Sequence, residues 1–225
     1  RQLHNRSIFF SNDDEVKHFL EKRSIENSKK HQQPATLNVK SNLDKLTLND
    51  MQVFRFNFRH EKNQKILYLH GGYNTLQPSP FHWRLLDKLT LNTLHEVVLP
   101  IYPKSPDYHY LETFKAIRDV YNQLVEEVGA NNIVMMGDGS GGGLALSFVQ
   151  SLINDNQEVP RKLFLLSPLL DATLTNPNIT KTLEENDILV SRFGVHQLMK
   201  SWTNDLPLSD AVSYTHLRAH ETRED

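Results

Sequence analysis

The sequence lacks cysteine, long apolar runs and any large excess of charge. With no cysteine among its 225 residues, disulfides, thiolate metal sites and a cysteine nucleophile are excluded. No apolar stretch approaches the roughly 20 residues of a membrane span, and the first residues do not form a secretory signal. The formal net charge of -2 gives no electrostatic reason to expect nucleic acid or an anionic membrane as partner. The expected partner is a small molecule.

The overall composition is that of one ordinary globular domain. An apolar fraction of 38% and a charged fraction of 23% are enough for a sizeable core, and they predict a soluble protein that we place in the cytoplasm. The chain begins with arginine rather than methionine, so we expect the natural N-terminus to lie upstream. Residues 211–225 resemble translated sequencing-adapter DNA and are predicted to be a non-native tail. The sequence leaves the oligomeric state open.

Short apolar runs alternate with helical patterns along the chain. Buried strands are predicted at residues 65–69, 95–100, 133–136 and 162–167. Helices are predicted at residues 81–93, 111–128, 144–153 and 191–202. This alternation favours the α/β class, with a mainly parallel sheet covered by helices on both faces. We therefore divide the chain into a helical cap and linker (1–50), a core (51–210) that opens with an edge strand at 51–58, and the tail (211–225).

Two glycine turns follow strands of the predicted sheet. The first, His70-Gly71-Gly72, follows the strand at 65–69, and the second, residues 136–143, lies between a strand and a helix. Ligands of parallel sheets bind beyond the carboxyl ends of the strands, so both turns are expected at the ligand-binding edge. A strand, a tight glycine turn and a helix can hold backbone N–H groups and one small side chain at that edge.

The second glycine turn admits more than one interpretation. Gly137, Gly139 and Gly142 satisfy the dinucleotide fingerprint, but that fingerprint normally opens its domain and needs an acidic residue after the next strand. Here earlier strands come first, and the next strand ends in Ser167-Pro168. A nucleophile elbow fits better, because a serine on such a turn and a second glycine loop can face the same oxyanion. A dinucleotide-binding module remains a distant alternative.

Residues 53–210 resemble the hormone-sensitive-lipase-like esterases, the α/β-hydrolase fold-3 family. The resemblance rests on four stretches, at residues 67–73, 100–106, 136–143 and 165–171. It implies an α/β-hydrolase fold with an N-terminal cap, incomplete at the C-terminus, and a serine esterase that hydrolyses short-chain carboxylic esters through an acyl-serine without a cofactor. Carried over by position, His70 belongs to the oxyanion loop, and the N–H groups of Gly71, Gly72 and Gly141 are the oxyanion donors.

The elbow departs from the family pattern Gly-Asp-Ser-Ala-Gly-Gly. In strict register the nucleophile position falls on Gly139, and Ser140 occupies the next position. Ser140 remains the candidate nucleophile if the turn shifts by one residue, since glycine at 139 tolerates strained dihedrals. One step along a helix turns a side chain by about 100 degrees, which would aim the hydroxyl elsewhere. The alternative is a non-catalytic, hydrolase-like protein that binds small molecules and has lost its nucleophile.

The acid and the histidine of a triad follow the serine in this fold, and we expect neither of them in this chain. Asp171 and Asp187 are the well-placed acids near strand ends, and Asp171 is expected to have a loop role. His196 is expected on a helix surface. His216 and His220 have the i, i+4 spacing of helical metal ligands but lie in the suspect tail, so no metal site is predicted.

Three further expectations concern the surroundings of the two turns. Asp138 is expected to brace the elbow through hydrogen bonds to nearby backbone. Tyr73 is expected either to line a substrate pocket or to pack in the core. Five aromatic side chains are assigned to the core: Phe81, Trp83, Phe114, Tyr121 and Trp202.

Overall fold

The computed structural model describes residues 10–58, 64–174 and 191–205 of the chain. The strands are β1 (Leu43–Leu48), β2 (Met51–Phe56), β3 (Lys65–Leu69), β4 (Glu96–Pro100), β5 (Ile133–Asp138) and β6 (Lys162–Leu166). The helices are α1 (Asp13–Ser28), α2 (Pro80–Thr93), α3 (Tyr110–Val128), α4 (Gly139–Asn154) and α5 (Arg192–Trp202).

The strands form one sheet in the order β1-β2-β4-β3-β5-β6. Strands β4, β3, β5 and β6 are parallel, and β1 and β2 join them as antiparallel neighbours. The mainly parallel α/β sheet predicted from the sequence is therefore confirmed. Within the described ranges, no helix combines the length and the apolar character needed to cross a bilayer.

The antiparallel start of the sheet differs from the sequence prediction. β2 was predicted to be an edge strand, but it lies between β1 and β4, so that prediction was wrong. β1 itself was not predicted, because its central four residues are exposed and give no buried alternation. The signal for the hairpin was Asn49-Asp50, whose φ angles of 47° and 65° make the left-handed turn that favours a two-residue β-hairpin.

Both faces of the sheet are covered by helices. In β3 every residue is buried, with Leu67 and Leu69 packing on one face and Ile66 and Tyr68 on the other. Helices α3, α4 and α5 cover the first face, and α2 covers the second through Trp83. Because helices cover both faces of the sheet, β3 appears in the sequence as a continuous apolar run rather than as an alternating one. The predicted core residue Phe81 is an exception, since its side chain is 62% exposed at the first turn of α2.

The N-terminal helix packs beside the connection between β3 and α2. Val16 of α1 shares an apolar cluster with Leu198 of α5, and Tyr73 and Leu76 of that connection pack against it. At the end of α1, the Asn27 side-chain amide donates hydrogen bonds to the carbonyl oxygens of Thr75 and Ser105 at 2.9 and 3.1 Å. Helix α1 therefore contacts the loop that follows β3.

A buried ion network closes the opposite end of the sheet. Lys65 Nζ lies 2.9 Å from Glu96 and 2.6 Å from Glu127, and Arg55 pairs with the same two carboxylates. Burial alone would raise the pKa of Glu127, but hydrogen bonds from Arg55 and Lys65 bring it down to about 2. Because Lys65 and Glu96 begin their strands, this network lies at the end of the sheet away from the glycine turns and stabilises the fold there.

Candidate active site

The two glycine turns meet at the carboxyl ends of neighbouring strands. β3 and β5 pair in parallel with Leu69 opposite Gly137, which brings His70 beside Asp138. A Cβ atom on Gly141 would lie 2.5 Å from the carbonyl oxygen of His70 and closer still to that of Leu69. Real Cβ atoms do not approach backbone this closely, so glycine is required for the two turns to form a single site.

Gly139 occupies the apex of the elbow. Its φ is 52°, in the left-handed region, and α4 begins at this residue. A Cβ atom at 139 would be in open space, with the Cα of Gly71 as its nearest neighbour at 3.9 Å. The apex therefore has room for a side chain that faces the oxyanion loop.

Ser140 follows the apex and is enclosed. The residue is 2% exposed, and its Oγ accepts a hydrogen bond of 3.3 Å from the Asn74 N–H. Asn74 and the preceding Tyr73 both have left-handed φ angles, 54° and 56°, an arrangement that costs conformational energy and is often found at functional sites. The structure thus brings the candidate hydroxyl to the site and holds it against the loop after β3.

The peptide group between His70 and Gly71 is fixed at both ends. The Tyr102 hydroxyl donates a hydrogen bond of 2.5 Å to the carbonyl oxygen of His70. The Gly71 N–H donates at 2.9 Å to Oδ1 of Asp138. Gly71 was predicted as an oxyanion donor, but in this conformation its N–H is already engaged by a carboxylate.

The next peptide group faces the other way. His70 Nδ1 lies 2.7 Å from the carbonyl oxygen of Gly71, and since a carbonyl only accepts, Nδ1 carries the proton. The N–H and C=O of a trans peptide point in opposite directions, so the Gly72 N–H points away from His70. No acceptor for it is found in the described part of the chain. Gly141 lies in the first turn of α4, where N–H groups have no intrahelical acceptor. Gly72 and Gly141 are the predicted donors that remain available.

His70 is neutral in this arrangement. Burial lowers the pKa of His70 far below its ordinary value, and the positive charge of Lys104 lowers it further. Its ring stacks on Tyr102 with centroids 4.6 Å apart. The side chain therefore acts on the loop as a hydrogen-bond donor to Gly71.

Asp138 was predicted to brace its own turn through nearby backbone, but its carboxylate does not cap α4 and instead accepts the Gly71 N–H of the other turn and two side-chain donors. The Tyr68 hydroxyl lies 2.8 Å from its carboxylate, and His82 Nε2 lies 3.1 Å away. The Ser79 N–H donates to His82 Nδ1, so the proton of this histidine is on Nε2 and points at Asp138. Burial alone would raise the pKa of Asp138, but hydrogen bonds from His82, Gly71 and Tyr68 hold it below the usual value.

The other sequence candidates that the structure describes form no hydrogen bond with Ser140. Asp171 accepts a hydrogen bond of 2.8 Å from the Thr173 N–H, a local loop contact as predicted. His196 Nε2 lies 2.5 Å from the carbonyl oxygen of the same threonine. Among the described residues, no histidine or carboxylate forms a hydrogen bond with Ser140 Oγ. The predictions for the other acid, the two distal histidines and the tail lie outside the described residues: Asp187, His216, His220 and 211–225.

The sequence analysis missed the groups that hold the loop and the elbow in place. Tyr102 and Lys104 donate hydrogen bonds to the loop from the connection after β4. His82 of α2 bonds to Asp138, and the backbone N–H of Asn74 bonds to Ser140. Tyr102 and Lys104 lie in the stretch 100–106, which the resemblance marked without giving it a role. No local pattern could reveal the other contacts, because each joins residues distant in sequence.

Comparisons with known proteins show the family. A family model described as an alpha/beta hydrolase fold matches residues 66–222. Among curated proteins, an esterase of Acinetobacter venetianus is 32% identical over 143 residues, which are 63% of this chain and 47% of the relative. A triacylglycerol lipase of Mycobacterium tuberculosis is 27% identical over 167 residues, which are 74% of this chain and 33% of the relative. The chain thus spans about half or less of the length of these two relatives.

Solved structures show the same similarity. A candidate esterase from Staphylococcus aureus is 65% identical, with a TM-score of 0.89 over 94% of this chain and 72% of that chain. An esterase from the bacterial hormone-sensitive lipase family is 17% identical, with a TM-score of 0.70 over 91% of this chain and 74% of that chain. The second likeness concerns the fold alone.

Proposed function

The chain belongs to the alpha/beta hydrolase fold family, and on this premise we propose that the protein hydrolyses carboxylic esters where the two glycine turns meet. The substrates are small uncharged esters, and the reaction passes through an acyl-serine. A cytoplasmic location, predicted from the composition, is part of the same proposal.

One observation carries this proposal: two backbone donors remain available where the turns meet. The Gly72 N–H points away from His70, and the Gly141 N–H lies at the start of α4. Two such donors suit the carbonyl oxygen of an ester, which becomes negatively charged when the carbon is attacked. Their hydrogen bonds strengthen as that charge develops, which is how backbone amides accelerate acyl transfer.

Ser140 is the candidate nucleophile in the described part of the elbow. Its oxygen would attack the carbonyl carbon, the alcohol would leave with a proton, and water would then release the acid from the acyl-serine. Attack requires Oγ to leave the Asn74 N–H, because the hydroxyl is now buried. A serine without a positioned base is a poor nucleophile at neutral pH, so we expect slow turnover from the chain as it stands.

The enclosed serine favours a second candidate function. Gly139 provides no side chain at the apex, and Ser140 is 2% exposed. A protein with these features could bind an ester through Gly72 and Gly141 without forming a covalent bond to it. This second candidate is a hydrolase-like protein that binds small molecules and has lost its nucleophile.

Hydrolysis of p-nitrophenyl acetate separates the two candidates. The esterase proposal predicts turnover above the buffer rate, and Ser140→Ala is expected to remove the enzyme-dependent part. The matched control is Ser147→Ala, which removes a buried hydroxyl bonded to Gly143 further along the same helix. Turnover that survives Ser140→Ala would exclude Ser140 as nucleophile, and no turnover from a folded chain that still binds the ester would favour the second candidate.

A further inference from the structure

Lys104 is a buried cation that has no acidic partner in the described part of the chain. It is 3% exposed, and its Nζ donates hydrogen bonds to Gln77 Oε1 at 2.9 Å and to the carbonyl oxygen of Tyr102 at 2.7 Å. In the described ranges no carboxylate forms an ion pair with it. Burying an unpaired charge is costly, so its contacts with neutral groups need an explanation.

The contacts of Lys104 converge on the oxyanion loop from two sides. Gln77 belongs to the same connection between β3 and α2 as His70 and Gly72. On the other side, Nζ lies 4.6 Å from the centre of the Tyr102 ring, within cation–π range. That ring stacks on His70, and its hydroxyl donates to the His70 carbonyl oxygen. His70 in turn fixes the Gly71 carbonyl.

We propose that Lys104 is a positioning residue for the ester reaction, holding residues 70–77 in the conformation that leaves the Gly72 N–H available. It acts through Gln77 on one side and through Tyr102 and His70 on the other. This inference rests on the proposed function, because the Gly72 N–H matters only if the site receives a carbonyl oxygen. In this proposal Lys104 acts on the loop and makes no contact with the ester.

The charge of Lys104 makes the contact sensitive to pH. Burial lowers the pKa of Lys104 to about 7. Loss of the proton removes the cation–π attraction and weakens the two hydrogen bonds, so the loop is held less firmly above neutral pH. The free energy of unfolding changes in the opposite direction with pH, because deprotonation of Lys104 stabilises the folded state. The folded pKa lies below the ordinary value of 10.5, so the cost of the buried charge is full below pH 7 and disappears as the pH rises toward 10.5.

Histidines and carboxylates surround Lys104. His31 of the linker and His70 of the loop feel the charge of Lys104, and burial lowers the pKa of His31 to about 4. Lys104 also lines a cavity of about 1010 Å³ in which four other lysines balance four carboxylates. Those carboxylates are Asp50, Asp107, Glu112 and Asp119. His82 also lies beside His70, with ring centroids 5.7 Å apart, so the Lys104→Met variant is needed to assign a change of the loop near pH 7 to Lys104.

Selective labelling with ¹⁵N-glycine tests the inference without requiring turnover. The chain has nine glycines, so the amide spectrum contains few resonances and the loop can be followed directly. In the unmodified protein the Gly72 resonance is expected to move with a midpoint near pH 7. Lys104→Met should abolish that movement, whereas Lys88→Met, which removes an exposed lysine of α2, should leave it unchanged. If turnover is measurable, the pH dependence of kcat near 7 should disappear in Lys104→Met alone.

A second variant keeps the test informative if Lys104→Met does not fold. Tyr102→Phe removes the hydroxyl that fixes His70 and is expected to shift both the Gly71 and the Gly72 resonances. The inference is overturned if Gly72 does not move between pH 6 and pH 9, if its movement persists in Lys104→Met, or if Tyr102→Phe leaves both resonances unchanged. If the glycine results hold and no variant turns over p-nitrophenyl acetate, the proposed function fails and the loop assignment stands.

Discussion

Gly141→Ala is expected to be the most damaging single substitution in the site, lowering the free energy of unfolding by more than about 4 kcal/mol or preventing folding. The added Cβ would meet the carbonyl oxygens of His70 and Leu69 at 2.5 Å or less. These are backbone atoms at the end of β3, so they cannot move aside as a flexible side chain could. Relief requires the elbow and the oxyanion loop to separate.

Urea denaturation followed by tryptophan fluorescence measures this effect. The matched control is Gly129→Ala at the end of α3, where an added Cβ meets nothing within 4 Å. Its φ of 79° and ψ of 149° lie in a region almost restricted to glycine, so alanine there is strained at a cost of about 1 to 3 kcal/mol. A loss for Gly141→Ala no larger than that of the control would mean that the two turns are not in the close contact described.

Gly139→Ser is expected to raise the rate of fluorophosphonate labelling at least about tenfold, equivalent to about 1.4 kcal/mol in the barrier. The apex has open space for a Cβ and is directed toward Gly71, whereas the hydroxyl of Ser140 is buried. A hydroxyl at 139 would start close to the oxyanion donors. Strain from the left-handed φ of 52° is expected to cost about 1 to 2 kcal/mol of stability.

Peptide mass spectrometry of the labelled protein locates the adduct. Combining Gly139→Ser with Ser140→Ala should leave the labelling rate unchanged, which separates the two positions. Labelling of the unmodified chain at Ser140, as fast as that of Gly139→Ser, would show that the elbow rearranges by one residue and that the apex is not the reactive position.

The sequence predicted the parts of the site that depend on local pattern. Both glycine segments and the strands that precede them follow from short apolar runs and from residues that tolerate unusual φ angles. The helix predicted at 144–153 begins five residues earlier, at Gly139, because glycine is a weak helix former and residues 139–143 were assigned to the turn. The sequence also indicated that Ser140 lies one residue beyond the apex, because aligning the elbow with the family pattern places Gly139 at the nucleophile position. Two errors show the limit of local pattern. β1 was missed because its exposed residues give no apolar alternation. Phe81 was assigned to the core because it is aromatic, although it is exposed at the start of α2.

The occupation of the oxyanion donors could not be predicted in this way. Asp138 engages the Gly71 N–H, and the hydroxyl of Tyr102 fixes the preceding carbonyl. Lys104 looks like an ordinary surface lysine in the sequence, yet it is buried under the loop. Each contact joins residues far apart in the chain, and only the packing of α2 and of the connection after β4 brings them together.

The central claim is that Gly72 and Gly141 together receive the carbonyl oxygen of an ester, and titration of the ¹⁵N-glycine-labelled protein with ethyl acetate tests it most directly. The account predicts that the Gly72 and Gly141 amide resonances move together and saturate, while the resonance of the distant Gly129 stays fixed. Gly72 and Gly141 resonances that do not respond up to the solubility limit of the ester would contradict it.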